Sequence, residues 1–379
     1  MKVVFLSNFY NHHQAPFSDA MDKLTDGKYL FVETEKITAE RLQMGWGVKE
    51  YPPFVKRMTK DNAAMIQADI DEADVVIIGS APISLIDNRI RCNKLVFRYS
   101  ERWYKDKSKQ WLEPIKAFYH YIKNVKYRNA YMLCASAYTA ADCAKAHLYI
   151  GRTYKWGYFP EVKKYDIDKL IAEKEPTSIL WAGRLIGWKH PDASIRVCAR
   201  LKSEGYRFNL TIIGKGEMEQ QLNNMIQEYG LSDCVHMAGS MKPEQVREYM
   251  EKAGIYLFTS DYNEGWGAVL NESMNSGCAV VASHAIGSVP FLIKDSENGL
   301  IYQSGEEDGL HKKIRLLLDK HIKQRELGLA AYNTINEVWN SKIAAERLIQ
   351  LSDRIISGGI TRDVFANGPC SDAKIARGH

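Results

Sequence analysis

Two successive series of short β-branched runs, separated by longer helical stretches, leave this chain little choice of architecture. The first series is VVFLS (3–7), YLFVE (29–33), DVVIIGS (74–80), KLVFRYS (94–100) and YMLCAS (131–136). The second is SILWAG (178–183), FNLTIIG (208–214), CVHMAG (234–239), IYLFTS (255–260), CAVVAS (278–283) and GLIY (299–302). Such alternation marks α/β chains, because parallel strands need a helical crossover between them. At 379 residues the chain exceeds one ordinary core. The reading is two doubly wound, Rossmann-like domains facing a central cleft, spanning 1–160 and 178–340. A linker is expected over 161–177, continuing the polar, aromatic YKWGYFPEVKKYD (154–166). Apolar residues at helical spacing predict a last helix about 343–357, and the polar stretch 358–379 reads as a loosely ordered tail.

Composition narrows the class. No apolar run approaches the roughly 20 residues that cross a bilayer, and MKVVFLSNFY reads as a first strand rather than a signal peptide. The seven cysteines are scattered without CxxC or paired spacing, which points to reduced thiols in a cytoplasmic protein and to no metal site. Residues 1–160 hold 24 Lys+Arg against 17 Asp+Glu, a balance of +7, while the remainder holds 27 against 29. A basic first half and a near-neutral second half suggest domains with different partners.

Chemistry-bearing residues sit where the second series of strands ends, the usual ligand position in doubly wound sheets. In WAGRLIGWKHPD (181–192), Gly183 ends the strand, Arg184 follows and Lys189 comes five residues later. A planar fork and a point charge beside a helix N-terminus suit a diphosphate. In TIIGKGEMEQQL (211–222), Gly214, Lys215 and Gly216 form GxG without the third glycine of a dinucleotide fingerprint; a ligand close to the backbone or a plain tight turn would each explain it. In EGWGAVLNESMNSG (264–277), Gly265 and Gly267 leave the amides of a helix expected from about Trp266 uncovered. Glu264 lies beside that helix mouth. Glu272 lies about 12 Å further along and some 80° around. That separation suits one extended ligand touched at two points better than a carboxylate dyad. Each carboxylate could take a sugar diol, with phosphates between them.

Together, GRL with its later Lys, the GxG turn, E-G-x-G with a second Glu eight positions on, and the trailing SGCAVVAS, AIGSVP and ENGLIY resemble the retaining glycosyltransferases of family 4, in register over about 178–340. The resemblance implies the GT-B fold, with the C-terminal helix crossing back to the first domain. It implies that Arg184 and Lys189 bind the donor diphosphate, that Glu264 contacts the transferred sugar, and that Glu272 contacts the ribose. The amides of Trp266, Gly267, Ala268 and Val269 would cradle phosphate. The base would rest near Gly214–Gly216 and the turn of Gly239, Ser240 and Met241. The donor would be a nucleotide-diphosphate sugar, a UDP-sugar favoured and a GDP-sugar next, with no cofactor and no metal. The sequence departs from the family at Phe291 after Pro290, in a first loop without a glycine pair, and in RYSERWYK (98–105).

On the acceptor side, His12 and His13 in the first strand-end loop are candidates, as are Arg98, Ser100 and Glu101 at another strand end. Arg98 and Glu101 could instead pair with each other. The acceptor would be a glycan or lipid-linked glycan in cell-surface polysaccharide synthesis. The run 102–128 mixes eight Lys/Arg with seven aromatic Trp, Tyr and Phe side chains and only two acids. It fits an anionic membrane surface, which would put the protein at the inner face of the cell membrane. An ordinary amphipathic helix is the bland reading, and no nucleic-acid module accompanies the run. Two other functions remain open at this point: a sugar-nucleotide epimerase on the same fold, and an inactive GT-B partner protein.

Overall fold

The computed structural model describes residues 1–43, 47–48, 50–105, 111–124 and 128–375. The chain divides into two compact units, Met1–Glu161 with Val338–His379, and Val162–Glu337.

Unit one is built on a seven-stranded parallel sheet: β1 (Val3–Ser7), β2 (Tyr29–Glu33), β3 (Val55–Arg57), β4 (Val75–Ile78), β5 (Val96–Ser100), β6 (Ala130–Cys134) and β7 (Thr153–Lys155). Their spatial order is β3-β2-β1-β4-β5-β6-β7. β1, β2 and β4 are buried along their whole length, as strands covered by helices on both faces must be. The sequence reading misses β3 and β7. Each is three residues long and carries lysine, so neither shows an apolar run.

Unit two is built on a six-stranded parallel sheet: β8 (Glu175–Ala182), β9 (Asn209–Ile213), β10 (Val235–Gly239), β11 (Ala253–Phe258), β12 (Ala279–Ser283) and β13 (Leu300–Tyr302). Their order is β10-β9-β8-β11-β12-β13. Both sheets reverse direction at their first strand, between β1 and β4 and between β8 and β11. There the crossovers leave to opposite sides and the carboxyl ends lie open to a ligand.

The expected linker belongs largely to unit two. Asp166 caps helix Ile167–Glu173 by accepting the Lys169 amide at 3.3 Å, and β8 starts at Glu175. The Asn275 side chain brackets Lys163 from both sides, accepting its amide and donating to its carbonyl. Charges in this stretch hid a short capped helix.

The expected loose tail is also corrected. β7 is an edge strand, and an open edge offers unpaired backbone groups. Residues 370–373 take them: the Lys155 amide donates to Ser371 O at 2.7 Å, Cys370 donates to Lys155 O at 2.8 Å, and Ala373 donates to Thr153 O at 2.9 Å. Cys370 is buried there. The last part of the tail, 376–379, lies outside the described residues.

The last helix, Ser341–Ile356, is capped by Asn340, packs in unit one against helix Ala15–Leu24, and buries Ala344, Ala345, Leu348 and Leu351. Two buried cations brace the units. Arg89 donates to the carbonyls of Ile70, Ala73 and Leu95 in unit one, and Lys174 donates to those of Met250, Glu251 and Ala253 in unit two. Among the described residues, no helix is long and apolar enough to cross a membrane.

Candidate functional site

The carboxyl ends of β8, β9 and β10 are tied together by their own backbone. Gly183 donates to Ile213 O at 3.0 Å, Leu185 to Lys215 O at 2.9 Å, and Gly214 to Gly239 O at 2.8 Å. This tie explains the glycines. A Cβ on Gly214, whose φ is +150°, would stand 1.8 Å from the Gly183 carbonyl oxygen. One on Gly216 would stand 2.3 Å from that of Leu185. The space these glycines leave is taken by the neighbouring loop, so the tight-turn reading accounts for them. Gly239, at φ +71°, meets nothing within 4 Å. Lys215 and Ser240 are exposed, and Met241 is half-buried.

The loop after β8 then carries the charges. Arg184 is exposed and has no ion-pair partner among the described residues. Its guanidinium lies 5.7 Å from the Trp188 ring centroid, and Lys189 Nζ lies 4.8 Å from the same ring. Trp188, which the sequence reading passed over, therefore gathers both cations by cation–π attraction. Lys189 also pairs with Glu264, whose Oε2 accepts from Ser260 Oγ at 3.1 Å. Only 12% of the Lys189 side chain and 11% of Glu264 face solvent, so the pair is held in a low-dielectric setting. Trp181 donates to Thr259 Oγ1 at 2.8 Å, and Thr259 donates to the Lys189 carbonyl at 2.7 Å. The end of β8 and the end of β11 are thus one construction.

The third motif is placed differently from the sequence expectation. The helix runs Val269–Asn275, three residues later than expected, so the Glu264–Glu272 separation is not set by helical rise. Trp266 is wholly buried, and its indole donates to Asn271 at 2.9 Å while its carbonyl accepts from Ser288 Oγ at 2.5 Å. Its side chain is a core anchor. Gly265 is buried, while Ala268 and Val269 are half-buried. Gly267 is demanded by its φ of +79° and by Phe258, whose ring would lie 2.2 Å from a Cβ. Burial raises the pKa of Glu272, against the lowering pull of Arg247 and Lys163. Its carboxylate has no hydrogen-bond partner among the described residues. Glu264 and Glu272 both act electrostatically on the Tyr256 hydroxyl, which donates to the carbonyl of Ala182 at the end of β8.

Further pairs at this end were missed. His190, at φ +49°, reaches Asp261 at 3.5 Å. The Asp261 hydrogen bond raises the His190 pKa. Burial pushes Asp261 upward, but hydrogen bonds from His190 and Asn263 outweigh it and hold the carboxyl below its ordinary value. His284 Nδ1 accepts the Ser304 amide at 2.9 Å, so Nε2 carries the proton it shares with Tyr262 at 2.8 Å. His190 stands in the quoted 181–192 stretch, but its partner Asp261 lies after another strand, so the pair gave no motif to read.

Unit one holds the remaining candidates. The rings of His12 and His13 lie 3.8 Å apart, and His13 stacks on Tyr158 at 6.1 Å. Burial and the neighbouring His12 lower the His13 pKa to about 3. Glu101 accepts from Tyr158 at 2.7 Å and pairs with Lys105. Ser100 accepts from the Trp103 indole at 3.1 Å and donates to Glu101 O at 2.7 Å. Arg98 lies within β5. His13, Tyr158, Glu101 and Ser100 are therefore connected, through a tyrosine the sequence reading did not name. The basic run is described only at 102–105, 111–124 and 128; Lys107, Lys109, Lys126 and Tyr127 lie outside the described residues. Glu33, also missed, is buried at the end of β2. It accepts from the Tyr10 amide at 2.7 Å, from Tyr51 at 3.2 Å and from Arg57 at 2.9 Å. Among the described residues no group of three His, Cys, Asp or Glu could hold a metal ion.

Residues 162–334 match the family model of glycosyl transferases group 1, a stretch inside unit two. The amylovoran biosynthesis glycosyltransferase AmsK of Erwinia amylovora is 30% identical over 200 residues, covering 52% of this chain and 49% of that protein. The putative colanic acid biosynthesis glycosyltransferase WcaL of Escherichia coli K12 is 28% identical over 148 residues, covering 38% of this chain and 36% of that one. The matched region thus spans half or less of these curated relatives. Among solved structures, Anabaena HepE in complex with UDP superposes with a TM-score of 0.67 at 16% identity, over 92% of this chain and 99% of that one. The lipopolysaccharide outer core galactosyltransferase WaaB, in its apo form, gives 0.65 at 16% identity over 94% and 99%. At such identities the likeness is one of fold: two parallel-sheet, Rossmann-like domains as in GT-B glycosyltransferases.

Proposed function

We propose that this protein is a retaining glycosyltransferase (a hexosyltransferase). It moves a sugar from a nucleotide-diphosphate sugar, UDP-linked in first preference and GDP-linked next, to a glycan or lipid-linked glycan acceptor in cell-surface polysaccharide synthesis. One observation carries the reading: at the end of β8, exposed Arg184 and Glu264-anchored Lys189 converge on Trp188, inside the segment that matches the group 1 model.

The bond between sugar C1 and the diphosphate oxygen breaks, and the diphosphate departs with the electron pair. Leaving-group charge is the largest demand, and fixed cations meet it without reorganisation. Arg184 supplies a planar fork and Lys189 a point charge. With two cations at the leaving group, the reaction asks for no metal and no cofactor. Glu264 keeps Lys189 in place and orients the transferred sugar; Glu272 accepts the ribose hydroxyls. The acceptor oxygen forms its bond to C1 on the face the diphosphate leaves, and its proton passes to a diphosphate oxygen. The stereochemistry at C1 is then retained. Acceptor contacts are assigned to unit one, to His12, His13, Arg98, Ser100 and Glu101. The names of AmsK and WcaL support polysaccharide synthesis, and UDP in the HepE structure supports the uridine preference.

The test is a thermal-shift panel of UDP, GDP, ADP and their sugar conjugates on wild type and Arg184→Ala. At a hundredfold excess over Kd a true ligand adds about 2.7 kcal/mol. A shift with one nucleotide class, lost in the variant, supports the clamp. No shift with any of them sinks the reading. Product anomeric configuration, read by NMR, tests retention.

A further inference from the structure

One helix of unit one is turned the wrong way out. Helix Glu113–Asn124 sets Ile115, Phe118, Tyr119 and Ile122 within an arc of about 100°, at about 100° per residue. Their exposures are 64%, 65%, 58% and 58%, and Trp111, one turn ahead, is 74% exposed. The other side carries what a surface helix normally shows to water. There Glu113 accepts from Lys145 at 2.7 Å, and His120 stacks on Trp103 at 4.6 Å. An amphipathic surface helix buries its apolar stripe and exposes its polar one; this helix does the reverse. Scattered exposed apolar side chains need no explanation, but a contiguous stripe of large ones marks an interaction surface.

We infer that this stripe docks on an anionic lipid bilayer. The charge of the sequence run that contains it selects that occupant. Residues 102–128 hold eight Lys/Arg and two Asp/Glu, a balance of +6. A second copy of the chain would set that positive run against itself, whereas an anionic leaflet attracts it, at about 1 kcal/mol for each Lys or Arg near the surface. Trp, Tyr and Phe interleaved with cations are also the composition of helices that lie in a bilayer interface. The apolar stripe enters the headgroup boundary and the lysines stay among the phosphates. Lipid binding needs neither donor nor acceptor, so this inference stands apart from the proposed reaction.

The experiment is vesicle flotation of the full chain with phosphatidylglycerol-rich and phosphatidylcholine vesicles. Wild type is compared with Ile115→Ser/Phe118→Ser/Ile122→Ser. All three side chains are exposed, so the thermal midpoint without vesicles is expected to hold, and the oligomeric state is measured alongside. The expected result is wild-type flotation with phosphatidylglycerol-rich vesicles only, reduced roughly tenfold or more in the variant. Three results overturn the inference: no flotation of wild type, flotation equal on phosphatidylcholine or undiminished in the variant, or a wild-type dimer that the variant dissociates.

Discussion

The two units wind their sheets alike around a reversal at the first strand and both tie strand ends by backbone, yet they reinforce those ties by different means. Unit two uses backbone. Amide-to-carbonyl bonds join the ends of β8, β9 and β10, and glycines let them approach. Unit one has backbone ties too, Thr34 donating to Ser7 O at 3.0 Å and Gly79 to Leu6 O at 2.9 Å, and it adds buried carboxylates. Glu33 gathers Tyr10, Tyr51 and Arg57, and Glu101 gathers Tyr158 and Lys105. A loop held by backbone can present a long charged side chain that has no structural duty, as Arg184 is presented. Where side chains do the holding, an acceptor contact has to share them, as at Glu101, whose carboxylate already takes Tyr158 and Lys105.

The sharpest way to break the comparison is a methyl group. Gly214→Ala forces a Cβ into the Gly183 carbonyl, so the expected loss exceeds about 3 kcal/mol by analogy with a severely overpacked core. Gly239→Ala meets open space and suffers only its left-handed backbone, about 1–2 kcal/mol. Urea denaturation of both variants checks the contrast. Similar losses would mean that the close approach of the loops is not what holds them.

Next in size are the carboxylates. Glu33→Ala strips a buried acceptor from Tyr10 and leaves Arg57 without its partner, at a cost of about 3 kcal/mol. Lys189→Ala leaves Glu264 unpaired in a nearly buried site, and somewhat less than about 3 kcal/mol is expected because some water still reaches the pair. Adding Glu264→Gln to Lys189→Ala should return most of that loss. If the double variant is no more stable than the single one, Lys189 is held by Thr259 and Trp188 rather than by charge.

What could be read beforehand follows the same division. Strands buried on both faces announce themselves as β-branched runs, so all eleven expected runs and their α/β order needed no structure; 3–7 and 29–33 match to the residue, and the other nine differ only in extent. β3 and β7 were invisible because three-residue edge strands carry no periodicity, and the tail strand because its pairing depends on an edge 220 residues away. At the site, Arg184, Lys189 and Glu264 were legible as charges beside glycines. Trp188 and Ser260 were not, because they act only through contacts made on folding. Gly214 and Gly216 were noticed for the right property, but a neighbouring loop uses the space they leave.

A third prediction contrasts the two units through histidine. Burial and His12 lower the His13 pKa to about 3, below the ordinary 6.5. The unfolded chain therefore takes up a proton that the folded chain refuses, and unit one loses stability as pH falls from about 6.5 toward 3. His190 has the opposite sign. Its bond to Asp261 raises its pKa, so its contribution is complete below about 6.5 and is lost as pH rises through the raised value. At the acid end that contribution persists until pH falls through the lowered pKa of Asp261. Urea midpoints between pH 4 and 8 should show His13→Gln flattening the acid limb and His190→Gln the alkaline limb. An acid limb unchanged in His13→Gln would assign it to other groups.

The smallest expected change in stability belongs to the residue with the largest expected role. Arg184 is exposed and its visible contact is with the Trp188 ring, so Arg184→Lys should leave the unfolding midpoint within about 0.5 kcal/mol. Charge survives that substitution, but the planar fork does not. If the site recognises a diphosphate by paired N–H donors, the nucleotide-induced thermal shift should fall well below wild type while staying above that of Arg184→Ala. If Lys serves as well as Arg, the site reads charge alone, and backbone placement of the loop, rather than side-chain geometry, is what unit two contributes to recognition.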